Sequence, residues 1–463
     1  MTIYQVPHNL KKIDHPSWDL DDETLLRFNQ IENYESSIIS IKDKSRYLKD
    51  LSIDHILEFF NSLAIEWLNN PESKFLKYFS SMGASFLINF IKRSNLEPLL
   101  SESLNNNINY IDNFIYVENL QRKIMAHPKG LITHWLAGNV PVLGMISLIQ
   151  GIVTKNTNVI KIPREGGLIL PFMAGLIAEH SHDIGKFIVN GSDIVSSCQF
   201  VYCDREDVVA QKTLSINSDI RVAWGGREAV ESVMSLPRKY GTEDVIFGPK
   251  YSFAVIGKDS FKKEQLNEIA YKLAIDVSVF EQQGCNSPHT VFYESGGSIN
   301  SLEFSKALAE AMEKVLKRIP KNLVSAEEAS NVVNIRAEYS FTGRVFSSKG
   351  TEWTVIFSED KGFAEACYSR TIFVRPIKNV NEVLECIEHK KHQTIGLCLN
   401  DNIKELFAKK ATSKGIERIT ELGKMSIYDY PWDGMFPMNR FIRWASLNSN
   451  NDKSTTQDTT KSF

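Results

Sequence analysis

The stretch Leu131–Pro163, "LITHWLAGNVPVLGMISLIQGIVTKNTNVIKIP", decides the fold class. "LITHWL" has the length and residue types of a strand. "VPVLGMISLIQGIV" is about 14 residues of mostly apolar sequence with Gln150 inside it, a length that suits a buried helix. "NTNVIKIP" then reads as a second strand. The alternation continues with a helix through "ILPFMAGLIAEH", a strand at "CQFVYC" and a helix through "EDVVAQKTLSI". It closes with a strand at "DIRVAWGG" and a helix from "REAVESVM". Strands alternating with helices in this way predict a parallel sheet with right-handed crossovers. Ligands of such sheets sit where strands end and the next helix begins.

Outward from this stretch, a second α/β unit begins near "FGPKYSFAVIG". It carries the helices "KEQLNEIAYKLAIDVSVF" and "SLEFSKALAEAMEKVLKRI", the strand "HTVFYE", a hairpin-like pair in "GRVFSSKGTEWTVIFSE" and the strands "RTIFVRPI" and "TIGLCLN". Residues 1–110 are helix-patterned, as in "IDHILEFFNSLAIEWLNN", with apolar residues three and four apart. They are expected to cover the next domain or to make a subunit contact. The polar tail "NDKSTTQDTTKSF" is expected to be disordered.

The 463 residues suffice for two or three domains with real cores. A formal net charge of −3, with Lys and Arg spread rather than striped, argues against a nucleic-acid partner. No apolar run reaches the roughly 18–20 residues that cross a bilayer, and "MTIYQVPHNLKKIDHP" lacks a signal peptide's apolar segment. The expectation is a cytoplasmic protein. Six cysteines are scattered without a CxxC or a zinc-spaced Cys/His cluster, so no metal site is expected. Cys198 and Cys203 read as buried structural thiols, and Cys367 and Cys398 as thiols inside apolar elements. Disulfides are improbable in a cytosolic chain.

Five places carry candidate chemistry. In "HWLAGNVP", Gly138 permits a tight turn and Asn139 stands at a helix start. Asn139 is either a simple N-cap or an amide donor into a cleft where an oxyanion forms. Lys161 ends its strand with Arg164 three residues on, and a cation there either holds a cofactor's ribose or phosphate or is a solvated charge. Gly225 and Gly226 separate a strand from a helix, which lets backbone N–H groups approach a pyrophosphate, although GxGxxG is missing. Cys285, in "VFEQQGCNSPHT", lies in a polar loop beside Gly284, a setting that suits a thiol meeting a ligand. His289 opens the next strand and is a poor candidate for its base, since nearness in sequence does not bring the two side chains face to face.

Taken together, "HPKGLITHWLAGNVP", "KNTNVIKIP", "VAWGG", "FGPKYSF", "QQGC" and "DGMFPMNRFIRW", in this order, resemble the LuxC-type long-chain fatty acyl-CoA reductases (acyl-protein thioester reductases). These are a branch of the aldehyde dehydrogenase superfamily, and the likeness runs from about residue 120 to 445. The resemblance implies an aldehyde-dehydrogenase-like α/β fold, with a Rossmann-type cofactor domain, an α/β catalytic domain and an N-terminal helical region. The expected divisions are 1–110 (packing on the cofactor domain), 111–247 (NADP-binding), 248–430 (carrying Cys285) and 431–463 (C-terminal segment and tail).

By resemblance, Cys285 is the catalytic cysteine and Asn139, with the Cys285 N–H, the oxyanion donor. Lys161 and Arg164 then face the adenosine ribose or the 2′-phosphate of NADPH, and Gly225 and Gly226 the pyrophosphate. The expected reaction is NADPH-dependent reduction of a long-chain acyl thioester, CoA- or protein-bound, to the aldehyde through acyl-Cys285. The alternative is an acylating aldehyde dehydrogenase for a short or aromatic acyl-CoA using NAD(H). In "IFGPK", Ile246 stands where hydrolytic aldehyde dehydrogenases carry a water-activating glutamate, so water is expected to compete poorly. Glu243 lies nearby but out of register. An acyl-protein synthetase, an acyl-transferase, a homo-oligomer and a role in luminescence enter only through the resemblance.

Overall fold

The computed structural model describes residues 3–4, 28–29, 38, 40–42, 45–138, 140–163, 169–322 and 325–448. Asn139, Arg164 and the tail 449–463 therefore lie outside the described residues.

The opening stretch forms the expected unit: strand Leu131–Trp135, helix Pro141–Val153 and strand Thr157–Lys161. The two strands pair in parallel, Leu131 opposite Thr157 and Trp135 opposite Lys161. The helix is buried along nearly its whole length, which explains its mostly apolar sequence. Pro141 occupies its first turn, where no N–H partner is lost. Its polar residues are satisfied inside: Ser147 Oγ lies 2.9 Å from His134 Nδ1, and Gln150 Nε2 donates to the Tyr428 hydroxyl at 2.7 Å. Burial lowers the His134 pKa to about 4, so the ring is neutral.

Seven strands make the first sheet, in the order 243–247, 220–224, 131–135, 157–161, 198–201, 3–4 and 28–29, with every pair parallel. Strand order therefore reverses between Leu131–Trp135 and Ile220–Trp224. In an open α/β sheet that crevice, beyond the strand C-termini, is where a ligand fits. Ile3–Tyr4 and Phe28–Asn29 add short strands to a region whose pattern reads as helical. Helices Ile53–Asn69, Ala84–Ile91 and Arg93–Ser103 follow, and they share one apolar core with helix Pro141–Val153 and with Tyr428, Trp432 and Phe441.

The second sheet also has seven strands, ordered 344–347, 354–357, 371–377, 288–294, 251–256, 392–398 and 418–421. All pairs are parallel except the hairpin at one edge, where Arg344–Ser347 runs antiparallel to Thr354–Phe357. Helices Leu266–Ser278 and Ser301–Arg318 cover it. Helix Ala326–Thr342 has no counterpart in the sequence pattern, because only Val332 in it is buried. A capping box starts it, with Ser325 Oγ accepting from the Glu328 N–H and Glu328 from the Ser325 N–H. A small antiparallel sheet joins Ile115–Val117, Arg122–Pro128 and the C-terminal strand Ile442–Leu447. Among the described residues no helix is long and apolar enough to cross a membrane, and no three His, Cys, Asp or Glu cluster as metal ligands.

Candidate active site

The cysteine loop is built on backbone strain that side chains hold in place. Past helix Leu266–Ser278, Phe280, Glu281 and Gln282 adopt left-handed φ values of 53°, 54° and 64°. Each such non-glycine residue costs on the order of 1 kcal/mol, so the surroundings must enforce it. Opposite them Tyr368, Ser369 and Arg370 are left-handed too, at 55°, 54° and 59°. The Glu281 carboxylate takes a two-pronged ion pair from Arg370, at 2.6 and 2.7 Å, and Arg370 is only 1% exposed. Gln282 stands in for a missing stretch of ladder: its amide donates to Pro288 O and Thr371 O and accepts from the Thr371 N–H. The Ser369 N–H donates to Glu281 O. Two strained turns are thereby welded into one support.

Cys285 follows directly. Ser252 Oγ donates to its carbonyl at 2.7 Å, Asn286 Nδ2 donates to Met425 O at 2.6 Å, and the Ser287 N–H closes a turn on Gly284 O. At Gly284 a Cβ would come within 2.7 Å of Asn286 Oδ1, so glycine is required for closeness. The N-terminal helical region buttresses the loop, with Phe86 meeting the Phe280 ring edge-on at 5.4 Å.

The loop faces a cleft of about 400 Å³. One wall comes from the C-terminal ends of the first sheet: Leu136 and Gly138 after one strand, Trp224, Gly225 and Gly226 after the other. This is the crevice at the strand-order reversal, and Cys285 enters it from the N-terminal end of strand Pro288–Glu294. Trp224 and Phe247 stack at 3.8 Å and form an apolar side. A Cβ on Gly226 would meet nothing, so the turn into helix Arg227–Ser235 stays open. Backbone N–H groups at such a helix start favour an anion.

A second cavity of about 320 Å³ continues from the first, sharing Leu136 and Trp224 with it. Among the described residues, Lys161 lines this one together with Arg205 and no carboxylate does. Asp207 caps helix Val208–Asn217, and Asp204 accepts from the Tyr202 hydroxyl at 2.6 Å.

Cys285 is half-buried. Burial, helped by the negative charge of Asp433, pushes its thiol up to about 12, while a Gln393 hydrogen bond and the Lys250 charge pull the other way. His289 lines the same cleft, but burial holds its pKa down to about 4 and its Nδ1 has no hydrogen-bond partner. So weak a base is a poor acceptor for the thiol proton.

The structure therefore brings Cys285, Gly225 and Gly226 to one cleft and Lys161 to the adjoining cavity. The Ile246 reading needs correcting. Ile246 pairs with Ala223 and packs on the other face of the sheet, beside Val230 and Val233, and its neighbour Phe247 meets the cleft. Among the described residues the cleft nonetheless has no carboxylate in its lining. Glu243 is held by Lys129 and Arg440. Cys367 lies outside any strand or helix and Cys398 at a strand end, both partly exposed, so neither is the fully enclosed thiol the sequence suggests.

Arg205, Lys250, Gln393 and Asp433 were missed in the sequence. Arg205 sits just past strand Cys198–Val201, where the strand-end rule could have found it. Gln393 and Asp433 reach the loop from distant sequence with no local motif.

Two seven-stranded, mainly parallel sheets with a loop cysteine facing a glycine turn across a cleft define a chain of the aldehyde dehydrogenase fold. Solved aldehyde dehydrogenases match it along their length. One is the putative aldehyde dehydrogenase PutA of Anabaena variabilis (TM-score 0.63, 11% identity, 91% of this chain and 94% of that one). Another is the NADP-dependent glyceraldehyde-3-phosphate dehydrogenase of Bacillus halodurans (TM-score 0.62, 12% identity, 89% and 90%). Within that fold, residues 48–444 match the family described as Acyl-CoA reductase (LuxC), and the chain belongs to it. It is thereby an oxidoreductase of the acyl-thioester kind. Among its relatives are the long-chain acyl-protein thioester reductases of Vibrio harveyi (29% identical over 86% of this chain and 83% of that one) and Aliivibrio fischeri (25%, 90% and 85%).

Proposed function

We propose that this protein reduces a long-chain fatty acyl thioester, carried by CoA or by a protein, to the fatty aldehyde with NADPH. The observation that carries the reading is the braced Cys285 loop opening onto a cleft whose described lining residues include no carboxylate. The relatives' shared name, long-chain acyl-protein thioester reductase, supports the substrate class.

Cys285 attacks the thioester carbonyl as thiolate. The carbon–sulfur bond to the donor breaks, the donor leaves as its own thiolate, and the acyl group stays on the enzyme. The Cys285 N–H and Asn139 are the proposed donors to the oxyanion. The cavities fit a dinucleotide: Lys161 and Arg205 at the adenosine end, the Gly225–Gly226 turn at the pyrophosphate, and the cysteine cleft beyond. Two cations, with no carboxylate beside them among the described residues, favour the 2′-phosphate of NADPH, and Arg164 is proposed to add to them. When bound, NADPH supplies the hydride that takes the acyl carbon to the aldehyde level. Cys285 then departs as thiolate, ready for another acyl group. Phe247 and Trp224 keep that wall apolar, and no carboxylate among the described lining residues stands ready as a general base for water.

Aldehyde formation from acyl-CoA of increasing chain length, each with NADPH and with NADH, tests this. The expected optimum is a long chain with NADPH. Best activity with acetyl-CoA and NADH would instead support an acylating aldehyde dehydrogenase of short substrates.

A further inference from the structure

We propose that Lys250 is a further catalytic residue, the cation that meets the thiolate expelled when the acyl group passes from its donor to Cys285. The proposal deepens the reading of Cys285 as the nucleophile and rests on it.

Lys250 lies where the chain crosses from strand Glu243–Phe247 of the first sheet to strand Tyr251–Ile256 of the second. Pro249 restricts the backbone before it, and the Tyr251 N–H, donating to Lys391 O at 2.7 Å, pins the backbone after it. Ser252 stands two residues, roughly 7 Å, further along. Its hydroxyl donates to Cys285 O at 2.7 Å. The same short stretch therefore carries the lysine and braces the cysteine loop.

Lys250 lines the cysteine cleft, and its side chain is only 13% exposed. Its Nζ donates to the two carboxylate oxygens of Glu417, at 3.2 and 3.3 Å. Glu417 is not among the described lining residues, so the pair meets the cleft through its cation. An ammonium has three hydrogens, and Glu417 is its one partner among the described residues, which leaves a donor for a ligand. No other described lining residue carries a positive charge, since burial keeps His289 neutral. A largely buried ammonium with a spare donor suits a negative charge that develops beside it.

Acyl transfer creates that charge. As the Cys285 sulfur bonds to the carbonyl carbon, the carbon–sulfur bond to the donor breaks and its electron pair stays on the donor sulfur. The oxyanion of the addition step has its own proposed donors in the Cys285 N–H and Asn139. The departing sulfur needs another, and the compact charge of Lys250 fills that place while Glu417 holds it there.

Donors that share one long acyl group and differ in the thiol they release test this. An S-phenyl thioester releases a thiolate that spreads its own charge into the ring, whereas an N-acetylcysteamine thioester releases an alkyl thiolate that does not. The readout is the rate at which the acyl adduct forms on Cys285, followed by mass spectrometry in the full-length protein without cofactor. Lys250→Met is expected to slow acylation by the cysteamine thioester about tenfold or more and by the phenyl thioester less than about threefold. Lys250→Arg, which keeps a cation, should recover most of the cysteamine rate. The double variant Lys250→Met with Glu417→Gln leaves no carboxylate unpaired and should show the same selective loss. Equal slowing of both donors, or no slowing of either, overturns the role of Lys250 and leaves Cys285 as the nucleophile. Wild-type protein that forms no adduct with either donor overturns the reading of Cys285 and this proposal with it.

Discussion

The two sheets, one wholly and the other mainly parallel, are alike in strand number and opposite in what they bring to the cleft. The first offers strand C-termini, a glycine turn and a helix N-terminus, so that backbone does most of the work. The second offers the N-terminal end of strand Pro288–Glu294, where a single side chain is held by an ion pair, two strained turns and several buried amides. A ligand that comes and goes needs an open, anion-friendly surface. A nucleophile that makes and breaks a bond needs to be held in position, which is why the second region is far more heavily braced.

The largest effect should follow from breaking the bracing. Arg370→Ala leaves the partly buried Glu281 without its ion-pair partner, and such a change costs up to about 3–5 kcal/mol. Thermal or denaturant unfolding should show that loss. The cofactor side should respond in affinity rather than in stability. Lys161→Ala or Arg205→Ala should raise KM for NADPH about tenfold or more, since a hydrogen bond to a charged group is worth about 1.5–3 kcal/mol. KM for NADH should change little, and a parallel rise for both cofactors would place the two cations away from the 2′-phosphate. Smallest of all is Gly226→Ala. Its Cβ meets no protein atom, so unfolding should move by less than about 0.5 kcal/mol while NADPH binding weakens measurably.

How much of this was legible depended on how local the cause was. Strands such as Thr371–Ile377 were readable because strands of a parallel sheet are buried on both faces and run nearly continuously apolar. Cys285 was readable because it was out of place, a thiol in a polar loop. The role given to Ile246 failed on register: in a strand, one residue's difference is a difference of face, and the cleft belongs to Phe247. Helix Ala326–Thr342 was missed because a helix with one buried residue has almost no periodicity to show. Gln393 and Asp433 had no signal, since a hydrogen bond between residues forty apart leaves no trace in either neighbourhood.

The most direct measurement of the central claim is mass spectrometry of the protein after incubation with a long-chain acyl-CoA and no cofactor. The account predicts one acyl adduct, located on Cys285, that is stable in buffer and discharges as fatty aldehyde when NADPH is added. Cys285→Ala should form none and make no aldehyde. An adduct on another residue, discharge as free acid before NADPH is supplied, or aldehyde made at the normal rate by Cys285→Ala would contradict it.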